Sequence, residues 1–92
     1  MVTIRKLEKM PYAQAHVEIN EKGAFLFSYN TLAASLTADG WVAVHCLCSQ
    51  TTRRHVGAFL REYAALDYAT GKHLYSDNMR YNICTGEIEP ED

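Results

Sequence analysis

No apolar run in this chain approaches the roughly 18 residues needed to cross a bilayer as a helix, so no membrane span is expected. The stretch from Met1 to Leu7 lacks the long apolar core of a secretory signal. The expectation is a cytoplasmic protein that works in the compartment where it is made. Three cysteines, an odd number, argue against a disulfide framework and for reduced thiols. There is no glycine-rich phosphate loop, no serine elbow and no pair of acids at a telling spacing. No catalytic residue, and hence no enzyme, is read from the sequence, and no cofactor is implied. Internal repeats and low-complexity segments are absent, and 92 residues leave room for one core.

What is present is an ordinary globular composition, 48% hydrophobic and 22% charged, with ten aromatic side chains to fill a small interior. The net charge of -2 is unevenly spread. Glu87, Glu89, Glu91 and Asp92 crowd the end, and without them nine basic residues face seven acidic ones. A single domain over 1–86 followed by an acidic tail over 87–92 is expected. A weakly basic body is not by itself a nucleic-acid signature.

Hydrophobic periodicity orders the chain. Residues 2–7 and 13–19 alternate apolar and polar as strands do, with Pro11 between them. Asn20 to Gly23 reads as a hairpin connection, 24–29 and 31–37 as further strands, and Asp39-Gly40 as a tight turn. Trp41 to Leu47 is the clearest strand, apolar on both faces, and so central or at an interface. The period then changes. Ser49, Thr51 and Thr52 offer capping hydroxyls, and Val56, Phe59, Leu60 and Tyr63 form one stripe of a helix over about 52–66. A shorter helix starts at Tyr68 or Thr70, and 80–85 reads as a last strand. The fold class is α+β: a small antiparallel sheet of three to five strands packed against one long and one short helix.

Three places hold candidate chemistry. His45-Cys46-Leu47-Cys48 and Cys84 suggest metal, but a strand points His45 away from the two cysteines, and no C-x₂-C or H-x₃-H pair exists. No metal site is expected; cysteine is also common in ordinary cores, and whether Cys46, Cys48 and Cys84 are core residues is left open by the sequence. His16, His45, His55 and His73 are scattered, with no local motif placing a nucleophile beside them. The outer face of the long helix carries Arg54, Gly57, Ala58 and Arg61, with Arg53 adjacent: long cations separated by small residues. Such a face suits an acidic protein surface, where arginine is favoured. It also suits a nucleic-acid backbone, with Thr51, Thr52, Arg53, Arg54 and Arg61 as the phosphate contacts. Against both stands an ordinary solvated face. If helices cover one side of the sheet, either Trp41 or the valines of its strand lie on the other. Trp41 is therefore a partner-contact candidate, and a homodimer through that face is allowed but not required.

Ser28-Tyr29-Asn30-Thr31, Gly40-Trp41, and the run from Ser49 to Tyr63 with its Thr51-Thr52-Arg53-Arg54-His55 and Phe59-Leu60-Arg61-Glu62 segments resemble a group of small uncharacterised proteins of bacteriophages and mobile elements. The likeness extends over about residues 27–86, through Asn82 to Glu87. It carries no activity or catalytic residues. It implies a non-enzymatic accessory protein that binds a host protein, such as an inhibitor of a defence system of the anti-CRISPR kind. The alternative is a small nucleic-acid-binding regulator using the basic helix face.

Overall fold

The computed structural model describes residues 2–11 and 13–91. Seven strands form one antiparallel sheet in sequence order: β1 (Thr3–Arg5), β2 (Ala15–Asn20), β3 (Gly23–Ser28), β4 (Thr31–Thr37), β5 (Trp41–Val44), β6 (Met79–Asn82) and β7 (Ile88–Pro90). Two helices, α1 (Gln50–Phe59) and α2 (Tyr68–Asp77), are inserted between β5 and β6. The α+β class and antiparallel pairing are as expected, but the sheet has seven strands, not three to five. The strand β1 falls within the alternating residues 2–7, whereas β7 has only three residues, too few to leave a periodic signal. The acidic stretch set apart as a tail contains β7, which pairs with β6 in register Arg80–Glu89.

Alternation within the strands decides which side is covered. Val17, Leu26, Ala34 and Val44 lie in one row across β2 to β5, and all are buried. Val56, Phe59 and Leu60 of the helical layer and Leu74 of α2 close over that face as one core. Val17, Leu26, Val56, Phe59 and Leu60 among them have no solvent exposure, each a burial worth about 1.5–3 kcal/mol before its ordering entropy. His16, Phe25, Phe27, Ser35 and Trp41 occupy the other side of the sheet, which no helix among the described residues covers.

Local chemistry explains where elements stop. A bulge between Leu26 and Phe27 of β3 inserts Ala33 into β4. The Ala33 carbonyl accepts from the amides of both His45 (2.7 Å) and Cys46 (3.2 Å). That forked bond turns the chain off the ladder, so β5 ends at Val44 instead of running to Leu47. Gly23 sits at φ 141°, and a Cβ there would stand 2.2 Å from the Leu36 carbonyl oxygen. No other residue fits that hairpin end. The strand β6, expected over 80–85, stops at Asn82, because the Asn82 side chain takes the Cys84 and Thr85 amides and donates to the Asp39 carbonyl.

The long helix is continuous from Gln50 to Ala64, but its last turn, Leu60–Ala64, is wound as a π-helix. The wider turn moves the inward face on by one residue. Ala64 is buried, and Tyr63, expected in the apolar stripe, is half-buried and stacks on Phe59 at 5.1 Å. Ala65 ends the helix in the left-handed region at φ 56°. The α2 helix begins at Tyr68 behind an Asp67 cap and is as long as α1, ten residues. Thr70 donates to Asp67 from its amide and its hydroxyl, which holds that carboxyl below its ordinary range; the nearby Arg61 cation adds a little.

Candidate functional site

The arginines reach the site because of helical geometry. Ser49, in extended conformation, caps α1 by accepting the Thr52 amide at 3.1 Å. With Thr52, His55, Val56 and Phe59 turned to the sheet, Arg53, Arg54, Gly57 and Arg61 necessarily face outward. Gly57 and Ala58 leave the outer surface of α1 low, with Tyr68 of α2 lying beside Gly57. The result is a groove of about 980 Å³ across α1, bordered by α2 and by Glu8–Met10.

Five cations line it: Arg53, Arg54 and Arg61 from the long helix, Lys9 from the loop and Lys72 from α2. Two carboxylates, Glu8 and Glu62, oppose them, so the groove carries an excess of three positive charges in a chain of net charge -2. Met10, Leu47, Ala58, Tyr68 and Tyr75 supply an apolar floor. Glu62 is already engaged, accepting the Glu8 amide at 2.7 Å. Arg53 donates from Nε to the Leu47 carbonyl at 3.2 Å, which fixes its stem along the groove wall. Among the described residues no ion pair involves Arg54, Arg61, Lys9 or Lys72. Lys9 and Lys72 were not singled out in the sequence, because elements distant in the chain bring them to α1.

The other sequence candidates lie elsewhere. Trp41 is on the uncovered sheet face, under the Arg80 guanidinium (4.2 Å from the ring centroid), and is not part of the groove. Thr51 is exposed at the start of α1 and does not line the groove. Thr52 is buried and bonded to Ser28 and Ser49, which removes its hydroxyl from the surface. Among the described residues no group of three or more metal-ligating side chains converges. Of the cysteines, Cys46 is half-buried, while Cys48 and Cys84 are exposed. The turn after Val44, held by the Ala33 carbonyl, takes Cys46 and Cys48 out of the strand that carries Val42 and Val44.

Two histidine–serine contacts were not legible in the sequence. Ser28 Oγ lies 2.8 Å from His55 Nδ1 and 3.0 Å from Thr52 Oγ1. Burial lowers the His55 pKa, so its imidazole is neutral at pH 7. The cluster ties α1 to the end of β3, beside Tyr29, which is held at φ 58° with its ring 6.2 Å from that of His55. On the opposite face, Ser35 Oγ lies 3.0 Å from His45 Nε2, and His45 Nδ1 lies 3.3 Å from Glu91. That order of groups matches a serine–histidine–acid array. Ser35, however, is in the middle of β4, paired on both sides with Phe25 and Ala43, and is 6% exposed. Its neighbouring amides are committed to the ladder and do not converge on an oxyanion. The array pins Glu91 to the sheet.

A small two-layer α+β sandwich with a cation-lined groove on its helical side is the class of protein that fold and site define. The chain belongs to a family of unknown function, DUF8033, whose model matches residues 3–77. The match takes in β1 to β5 and both helices, and therefore every groove residue. No curated protein and no solved structure matches the chain.

Proposed function

We propose that this protein is a non-enzymatic binding module whose groove takes an acidic segment of a partner protein. The observation that carries the reading is the excess of three positive charges over an apolar floor. Arginine pairs with carboxylates in a two-pronged geometry and is favoured at interfaces. The apolar floor offers burial that a phosphate backbone cannot use. In the phage or mobile-element setting that the resemblance implies, the partner is a host protein in the bacterial cytoplasm. An inhibitor of a defence system, of the anti-CRISPR kind, is the role that setting favours.

The test uses a fluorescent peptide that alternates glutamate with leucine, titrated with the full chain at several salt concentrations. Binding should weaken at least about tenfold in an Arg54→Glu/Arg61→Glu variant, or about 1.4 kcal/mol. Both positions are exposed, so the variant's unfolding midpoint should stay within about 0.5 kcal/mol of the parent. Unchanged affinity in the variant would sink the proposal. Tighter binding of a single-stranded or duplex oligonucleotide, falling steeply with salt, would replace it with the nucleic-acid reading.

A further inference from the structure

Between the end of β5 and the cap of α1 the chain runs Cys46-Leu47-Cys48 without regular structure. A flat strand would keep cysteines two apart from touching, since a disulfide needs Cβ atoms about 3.5–4.5 Å from each other. Here the forked bonds to the Ala33 carbonyl bend the segment, and the two sulfurs lie 2.7 Å apart as free thiols. Cys48 is exposed, and Cys46, half-buried, donates its S–H toward the Cys48 sulfur. We propose that Cys46 and Cys48 form a thiol–disulfide exchange site for small disulfides of the glutathione type.

The chemistry is complete with that oxidant. The Cys48 thiolate attacks one sulfur of the small disulfide, and its S–S bond breaks to release one small thiol. The mixed disulfide is left on Cys48. Cys46 loses its proton and attacks the Cys48 sulfur, closing the Cys46–Cys48 bond and expelling the second small thiol. Two cysteine thiols are oxidised, one disulfide is reduced, and the protons leave on the released thiols. The hydrogen bond to Cys48, and after it burial, raises the Cys46 pKa, so Cys46, the less exposed of the two, resolves the intermediate and the exposed Cys48 attacks first.

The site connects to the groove through the residue between the cysteines. The Leu47 carbonyl holds Arg53 Nε, and the Leu47 side chain lines the groove. Ring closure must turn the peptide units on either side of Leu47, and so moves the acceptor of Arg53. This consequence rests on the groove reading; the exchange itself does not.

The experiment equilibrates the full chain with oxidised and reduced glutathione and reads intact mass, peptide maps and the Arg53 Nε–H resonance. The parent and Cys84→Ser should lose two hydrogens with no retained glutathione. Cys46→Ser should instead retain one glutathione, on Cys48. The Arg53 resonance should shift on ring closure, and acidic-peptide affinity should change about fivefold, the lower end of ordinary coupling. A mixed disulfide that persists in the parent, or modification confined to Cys84, overturns the exchange site. An unmoved Arg53 resonance in the closed form overturns the link to the groove. A closed ring with a shifted Arg53, in a protein whose reduced form ignores the peptide, upholds the dithiol site and discards the groove reading.

Discussion

The helix-side groove and the uncovered sheet face both carry cations and aromatic rings, yet they differ in what the cations meet. On the sheet face charge is matched in place. Arg80 lies over Trp41 and pairs with Glu89, His16 sits 3.1 Å from Glu18, and His45 sits 3.3 Å from Glu91. In the groove, Arg53 takes a backbone carbonyl, and Arg54, Arg61, Lys9 and Lys72 meet no ion-pair partner among the described residues. A cation already matched has little to gain from a partner, whereas an unmatched cluster raises the local potential and attracts an opposite charge. The groove holds three arginines against Arg80 on the sheet face, but what each arginine touches separates the two faces more than their number, and that is why Trp41, a candidate contact from the sequence, parts company with the helix arginines.

The comparison presupposes that the helical layer is held as one body on the sheet, and the largest effect tests that. Phe59 has no solvent exposure and lies in the core cluster beneath the groove. Phe59→Ala should cost about 3–5 kcal/mol in urea unfolding, through lost burial and the cavity left behind. A loss under about 1 kcal/mol would mean that α1 is not seated as described.

How far this was legible varies with chain distance. The stripe Val56, Phe59, Leu60 declares α1 within two turns, and alternation declares β2 to β4. Local patterns also place Arg53, Arg54 and Arg61 on one outer face. The groove itself was not legible, because Lys9 and Lys72 join those arginines only after the sheet and α2 have docked. The Ser28–His55 contact spans 27 positions, and nothing in either neighbourhood announces the other. The end of β5 was misjudged for a related reason: an apolar run continues through Leu47, and only the bulge at Ala33 reveals why the ladder stops.

The Ser28–Thr52–His55 cluster sharpens the comparison, because it joins the layer bearing the groove to the sheet. His55 is 1% exposed, and burial lowers its pKa from the usual 6.5. The unfolded chain therefore takes up a proton near pH 6.5 that the folded one refuses. Stability is full above that pH and falls as pH drops from about 6.5 toward the lower folded value. In His55→Gln this histidine's contribution should vanish, so the variant's urea midpoint should vary less between pH 7.5 and pH 5.5 than the parent's. At pH 7.5 the substitution should cost about 1–2 kcal/mol for the disturbed buried hydrogen bond. Parallel pH slopes in parent and variant would show that His55 takes up its proton as readily when folded as when unfolded.

The smallest effect concerns the sheet face. If Arg80 is spent on Trp41 and Glu89, its loss should be felt locally and nowhere else. Arg80 is partly exposed, with 38% of its side chain accessible, so solvent screens the ion pair and the ring contact is the larger share. In a double-mutant cycle of Arg80→Ala and Trp41→Phe, the coupling should be about 0.5–1 kcal/mol. Trp41 is the only tryptophan, so its fluorescence reports directly on the missing guanidinium. Acidic-peptide affinity should not change in Arg80→Ala, since Arg80 does not line the groove. A loss of peptide binding equal to that of the Arg54→Glu/Arg61→Glu variant would erase the distinction between the two faces. It would make overall positive charge, rather than the groove, the source of attraction. A peptide response confined to the helix arginines, with a fluorescence change confined to Arg80→Ala, would instead show that the molecule keeps one face matched and one face charged for a partner.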